Sequence, residues 1–323
     1  MLNDNGHNGG FGSPPRALSP VSSDGEHPSV ILADIKNRRK LPGKVVTFAN
    51  EKGGVGKSTL AFHCAIALAD MGQRVVAIDL DRRQRTLHRV LQYREGTATS
   101  LAVDLPMPSH SVLERPCAAQ LWQEILRLDS KADFIVIDAA GADSPVFRRA
   151  IAMADTLVTP VNASFLDLEL LGRHSPVTGA VSNSGCFASL VTDLREERAR
   201  IGQGPIDWIV TKNRVRHAER RQIERVDEAL EKLAIRHDFR IGRGLSERVA
   251  FRELFQFGLT HLDLKHLPGL ARMQASTASE IEALIEDLAL ELRADPENRV
   301  HRRQPRTLAS SSHAFSEALG ALI

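Results

Sequence analysis

Cysteine is scarce in this 323-residue sequence: Cys64, Cys117 and Cys186 lie far apart and form no C-x-x-C pair. That argues against a disulfide framework, a zinc site and a bridging iron–sulfur cluster, and fits a reducing cytosol. The twelve histidines show no H-E-x-x-H spacing. Net charge is only +2, so no global field draws the chain to nucleic acid or membrane, and any such binding must come from a local patch. No segment offers ~18 uncharged apolar residues, so no membrane span is expected. The N-terminus lacks a basic start followed by an apolar run, so no secretory leader is expected either. Internal repeats are absent, as is a helix-turn-helix pattern or a motif for a second, small-molecule pocket of the kind a metabolic ligase needs. Hydrophobic residues still make up 42%, enough for one large α/β domain or two small ones.

Residues 1–43 are rich in Gly, Pro, Ser and Asn and read as a disordered arm. From Lys44 onward the pattern changes. KVVTFAN (44–50), RVVAIDL (74–80), FIVIDAAG (134–141), TLVTPVN (156–162) and IDWIVTKN (206–213) are continuous apolar, β-branched runs separated by helical patterns. Such alternation predicts an α/β fold: a mainly parallel, twisted sheet with helices on both faces and a ligand site at the carboxyl ends of the strands. Helices are expected from Lys57 to Met71, closed by Gly72, from about Gln84 to Tyr93, and over 217–237, with Ile223, Val226, Leu230 and Leu233 inward. A last helix is expected from a Thr277/Glu280 capping box to Asp295-Pro296, with Ile281, Leu284, Ile285, Leu288 and Leu292 inward. The domain is thus expected over 44–294, followed by a flexible tail over 295–323.

The stretch ANEKGGVGKSTL (49–60) is a phosphate loop with a peculiarity. Gly56-Lys57-Ser58 ends it as a nucleotide loop should, but Glu51 holds the place of the first glycine and a second lysine, Lys52, stands beside it. Gly53, Gly54 and Gly56 permit the tight turn that converges backbone N–H groups, including that of Val55, on one anion. Lys57 is expected between the β- and γ-phosphates, Ser58 on Mg²⁺ and Thr59 on the α-phosphate. Asp138, ending FIVID, is placed to hold Mg²⁺ through water. Asp79 and Asp81 end the second strand two residues apart, one to support the metal shell and the other to orient the attacking water. Asp81 also suits a helix N-cap. Asn213 ends the fifth strand, where its amide can pair with an adenine edge or simply serve a turn.

KGGVGKST, then DLD, then a strand ending in Asp and a late strand ending in Asn together resemble the ParA/MinD ATPases, whose variant phosphate loop carries an additional signature lysine. Lys52 matches it. DLDRRQRT (79–86), VTPVNASFLDLELLG (158–172), DWIVTKNR (207–214) and FRELFQFGLTHLDL (251–264) look like the MipZ branch, the division-plane ATPases, over roughly 44–292. The last segment, taken alone, is an amphipathic helix with a turn at Gly258. The resemblance implies a homodimer bridged by ATP, with Lys52 reaching the partner's phosphates. It implies that Asp81 is needed for hydrolysis, Asp138 is the Walker B carboxylate, and Asn213 an adenine contact. It also implies ATP and Mg²⁺ as cofactors, FtsZ and a ParB-like centromere protein as partners, non-specific DNA binding, and a cytoplasmic, nucleoid-associated location. ParA-like partition of a chromosome, plasmid or protein cargo is the alternative. One departure stands out. The family commonly has D-T-P-G after the Walker B strand. Here the stretch is Asp138-Ala139-Ala140-Gly141, which leaves Gly141 to place an N–H near the γ-phosphate and puts the hydrolysis rate in question.

Arginines concentrate between 212 and 252. Arg220, Arg221, Arg225 and Arg248 are candidates for phosphate contacts to DNA, against the plainer reading of a solvated, ion-paired helix face. The terminal HAFSEALGALI is apolar on one side but has Ser316 and Glu317 where a membrane-binding helix carries cations. No membrane attachment is expected of it; docking and a frayed end stay open.

Overall fold

The structure is a computed structural model, and it describes residues 26–174, 181–213, 220–245, 249–267 and 275–292. Its strands are β1 (Lys44–Phe48), β2 (Val75–Asp79), β3 (Ser109–Val112), β4 (Phe134–Asp138), β5 (Thr156–Asn162), β6 (Gly172–His174), β7 (Val181–Ser184), β8 (Asp207–Asn213) and β9 (Arg240–Gly242). The helices are α1 (Pro28–Lys36), α2 (Lys57–Asp70), α3 (Thr86–Leu101), α4 (Ala118–Leu128), α5 (Pro145–Ala152), α6 (Phe165–Leu168), α7 (Cys186–Arg200), α8 (Arg220–His237), α9 (Val249–Gln256) and α10 (Ala275–Asp287).

Seven strands form one sheet in the order β3-β2-β4-β1-β5-β8-β9, every neighbouring pair parallel, while β6 and β7 make a separate antiparallel ribbon. Both faces are covered, which is why the strands read as unbroken apolar runs. Side chains alternate between two cores. From β4, Ile135 and Ile137 pack with α1, α4, α5, α7 and α8, whereas Phe134 and Val136 pack with α2, α3 and α10. The central β1 lies between β4 and β5, where the strand order reverses, so the loop after Phe48 opens into the crevice that such sheets use for ligands.

The five strands expected from sequence are all present, that over 156–162 at its full expected length and the other four shortened by one to three residues. The expected disorder through residue 43 needs correction. Pro28 opens α1, the His27 ring accepts from the Ser29 N–H at 3.2 Å, and Ile31 and Leu32 are fully buried against α5 and α7. Two apolar residues one apart gave no visible period, yet the neighbouring helices supply the burial. α3 is also longer than expected and starts later, because residues 81–85 are taken up by a turn. The last helix begins at Ala275, so Thr277 lies inside it rather than capping it, and it stops at Asp287. Ile281, Leu284, Ile285 and Leu288 are buried as expected, but Leu292 is 44% exposed. Residues 293–323, including the HRRQPR stretch and the terminal apolar segment, lie outside the described residues.

FRELFQFGLTHLDL has a structural task. After α9 the chain turns at Gly258, whose φ of +65° and whose closeness to α3 suit only glycine. A Cβ there would sit 2.2 Å from the Arg94 backbone nitrogen. Arg94, fully buried on α3, donates to both carboxylate oxygens of Asp263 at 2.7 and 2.6 Å, and to the carbonyls of Gly258 and Pro106. Asp263 in turn accepts from the Thr260 N–H and hydroxyl. The segment is thereby fastened to the helix that follows the Asp81 turn.

Candidate functional site

The loop between β1 and α2 is shaped by its glycines and held from behind. Gly56 has a φ of +94°, and a Cβ on it would fall 1.8 Å from the Asn213 amide nitrogen. That amide, buried at the end of β8, donates to the Val55 carbonyl at 2.9 Å. Asn213 therefore fixes the loop to the sheet and does not line the pocket in front of it. One of its two amide N–H donors is thus committed to the backbone, and an adenine contact would have to use the other or the Oδ1. Val55 is likewise fully buried and is not among the residues that line the pocket, so its part in the loop is that of its backbone.

In front of the loop lies a pocket of about 780 Å³. Gly53, Gly54, Gly56, Lys57, Ser58 and Thr59 form one wall, the turn after β2 a second, and Asp138 to Ala142 a third. The Lys57 ammonium donates to the Lys52 carbonyl at 2.8 Å. Burial lowers its pKa, while the charges of Asp138 and Asp81 work in the opposite direction. Gly141 stands close by: a Cβ there would approach the Lys57 Nζ to 3.3 Å.

Asp79 and Asp138 end adjacent strands in matched register. Asp138 is fully enclosed. Burial raises its pKa well above the ordinary carboxylate value, the nearby Asp79 raises it further, and a hydrogen bond with the Ser58 hydroxyl opposes both. Its Oδ1 is buried without a hydrogen-bond partner. Hard oxygen donors with an unsatisfied buried carboxylate oxygen suit Mg²⁺, which keeps several waters and takes few protein ligands. Ser58 and Asp138 fit that role. Asp79 does not, which corrects the sequence expectation. Its Oδ1 accepts from the Asp81 N–H at 2.8 Å and its Oδ2 from the His88 N–H at 3.2 Å, and it lies outside the pocket lining. Burial, with the Asp81 charge adding, raises its pKa. Asp79 pins the turn, and Asp81 faces the pocket. Asp81 accepts from the Arg83 and Gln84 N–H groups at 3.0 and 2.9 Å, so it ties the turn in the pocket wall and is not the helix N-cap foreseen for it, because α3 begins only at Thr86 with Arg85 in the cap position.

The two lysines diverge. Lys52 does not line the pocket; its side chain, 40% exposed, turns away from it to an ion pair with Asp167 on α6. Asp167 is 2% exposed and also accepts from the Asn162 N–H at 2.9 Å. Asp167 was missed in the sequence. Its signal was an acid inside the apolar run NASFLDLELL, where a carboxylate needs a partner. Glu51, in the first-glycine position, is half-buried with its pKa raised chiefly by burial, and the Cys186 thiol lies 3.6 Å from its carboxylate.

The expected DNA contacts are only partly in view. The Arg225 guanidinium lies 5.5 Å from the Phe165 ring centroid. The side chains of Arg220 and Arg221, at the start of α8, are not described, and Arg248 lies outside the described residues. Arg240 and Arg243 are ion-paired, with Asp207 and with Glu286 and Asp287.

Asn213→Ala separates a loop anchor from a base contact. Leaving the Val55 carbonyl unpaired costs about 1–3 kcal/mol of stability, and titration calorimetry should show ATP and GTP affinities falling together. A loss confined to ATP would support the adenine contact.

A family model for the ATPase MipZ matches residues 44–292. Among curated proteins, the chromosome-partitioning ATPase Soj of Thermus thermophilus is 34% identical over 142 residues, 38% of this chain and 57% of that protein. The chromosome partitioning protein ParA of Caulobacter vibrioides is 28% identical over 159 residues, 40% and 59% of the two chains. The chain thus spans under two thirds of the length of these relatives. Among solved structures, the ATP complex of a Cyanothece McdA variant aligns with a TM-score of 0.52 at 16% identity, over 79% of this chain and all of that one, which is a likeness of fold.

Proposed function

The chain belongs to the MipZ family of ATPases, and from that premise we propose that it is a Mg²⁺-dependent, slowly hydrolysing ATPase that works as a spatial switch for cell division. ATP closes a homodimer, the dimer binds DNA without sequence preference and stays on the nucleoid, a ParB-like centromere protein recruits it, and it inhibits FtsZ assembly away from the division plane. Hydrolysis, with Asp81 orienting water, returns monomers. Gly53, Gly54, Gly56, Lys57, Ser58, Thr59 and Gly141 hold the phosphates. Bound Mg²⁺ supplies electrostatic stabilisation of the phosphate oxygens, with Ser58 and Asp138 to hold it.

The observation that carries the reading is the separation of the two lysines. Lys57 serves its own pocket. Lys52 leaves from the same loop, stays out of that pocket and ends half-exposed on Asp167. A cation so placed can serve a neighbour's phosphates once it leaves Asp167, by the logic of an arginine supplied in trans. ATP then sets the oligomeric state.

Sedimentation of FtsZ tests this with the Asp81→Ala protein loaded with Mg²⁺-ATP, the Lys52→Ala protein being the control. Loss of FtsZ polymer only with the Asp81 variant, which gel filtration should find dimeric, is the expected result. Dimerisation of Lys52→Ala as readily as wild type would sink the trans role of that lysine. The sequence relatives Soj and ParA favour a second reading, partition of a chromosome or cargo. It is the one to adopt if FtsZ polymer is untouched while ATP-dependent DNA binding persists.

A further inference from the structure

The turn after β2 presents two cations that the fold itself does not use. Its backbone is tightly held. The Asp81 N–H is fixed by Asp79, the Arg83 and Gln84 N–H groups by Asp81, the Arg85 N–H by the Asp81 carbonyl at 2.8 Å, and the Arg82 carbonyl by the Arg85 guanidinium at 3.0 Å. Arg82 and Arg83 ride on this turn with exposed side chains that make no hydrogen bond or ion pair with the described residues. Both line the pocket of the phosphate loop. Of the other arginines nearby, Arg85 is paired with Glu114, Arg148 with Asp143, and Arg149 with Glu26 and Asp34, whereas Arg89 and Arg115 are exposed without such partners among the described residues but do not line the pocket.

The charges in the pocket wall explain what such a pair could be for. Its basic residues, among those described, are Lys57, Arg82 and Arg83, and Asp81 and Asp138 share the wall with them. The terminal phosphate of a nucleoside triphosphate carries about two negative charges at neutral pH, and the triphosphate as a whole about one more than the diphosphate. One ammonium that already bonds a carbonyl, even together with the Mg²⁺ that Ser58 and Asp138 would hold, leaves room for further positive charge. Guanidinium groups match phosphate oxygens in a planar, two-point geometry, and a backbone already fixed in place reduces the ordering cost of bringing them there.

We infer that Arg82 and Arg83 bind the terminal phosphate of a nucleoside triphosphate in their own subunit's pocket, from the wall formed by the turn after β2, and so set its preference for triphosphate over diphosphate. The inference rests on the nucleotide-site reading given above. It concerns residues outside the phosphate loop and the Walker B strand, and it makes the segment DRRQ a sensor of the third phosphate. Its location beside Asp81 places that sensor next to the residue proposed to orient water.

Calorimetric titration of the full chain with ADP and with the β,γ-imido analogue of ATP, both with Mg²⁺, tests it on Arg82→Gln, Arg83→Gln and the double variant. Since these side chains support no packing, thermal unfolding should match wild type. The double variant should lose roughly 10-fold or more in affinity for the triphosphate analogue, with ADP affinity held within about twofold. Equal weakening of both nucleotides, or no weakening of either, overturns the inference while leaving the nucleotide site intact. A loss seen only at protein concentrations where the chain dimerises also overturns it, because the arginines would then be serving the partner's phosphate. Wild type that binds neither nucleotide overturns the nucleotide reading and this inference with it.

Discussion

Replacing Arg94 with methionine should cost the fold about 3–5 kcal/mol, read as a fall in the urea midpoint with the slope unchanged. The size follows from what is left behind. Asp263 is 2% exposed and keeps only the N–H and hydroxyl of Thr260, while the Gly258 and Pro106 carbonyls lose a charged donor. A buried carboxylate without its cation is far more costly than the pair is stabilising, since desolvation cancels most of the attraction within an intact pair. Methionine fills much of the volume and so isolates the electrostatic loss from a cavity. Adding Asp263→Asn removes the stranded charge but retains an oxygen for Thr260, so the double variant should recover a large part of the deficit. A single variant costing under about 1 kcal/mol would mean that the pair is not the anchor of the 258–264 segment. A double variant no better than the single would place the loss in packing.

That ion pair marks how far the sequence was legible. The five central strands could be read because β1, β2, β4, β5 and β8 are buried on both faces and so carry continuous apolar runs. The edge strands gave no such signal. β3 is Ser-His-Ser-Val and β9 is three residues long, and both owe their conformation to pairing with a strong neighbour. Asp138 at the end of β4 and Lys57 at the start of α2 could be placed because glycine turns and strand ends fix them locally. Asp79 and Asn213 were harder. Each ends a strand at the ligand side, and only the three-dimensional arrangement shows that the carboxylate of one is taken by the N–H groups of Asp81 and His88, and the amide of the other by the Val55 carbonyl. Motif spacing identifies which groups reach a site. It does not reveal which of them are already bonded to the backbone. FRELFQFGLTHLDL is similar: recognisable as a pattern, but without Arg94, some 160 residues away, nothing in it said what its aspartate was for.

Asp138→Asn should move stability and activity in opposite directions. Without nucleotide, the folded state must bury this carboxyl beside Asp79, so its pKa stands well above the unfolded value. A group raised in this way adds stability below its unfolded pKa, and that contribution is lost as pH rises through the folded pKa. At pH 8 the wild-type carboxylate is therefore held at a cost that asparagine does not carry, and the nucleotide-free variant should melt higher, by roughly 2–4 °C for each kcal/mol recovered. The difference should shrink as pH falls toward about 4, where the unfolded carboxyl is also protonated. Asparagine, however, is a poor holder of a hydrated Mg²⁺. If Asp138 supports the ion through water, Mg²⁺-dependent hydrolysis should drop about 10–100-fold, and the melting-temperature increase given by Mg²⁺-ATP should be smaller than in wild type. A variant that loses both stability and activity would assign Asp138 to the architecture of the sheet. One that gains stability but hydrolyses normally would leave the carboxylate without a part in the metal site. Higher nucleotide-free stability with weakened Mg²⁺-ATP stabilisation is the pattern expected of a residue that costs the nucleotide-free protein stability and recovers it on holding the ion.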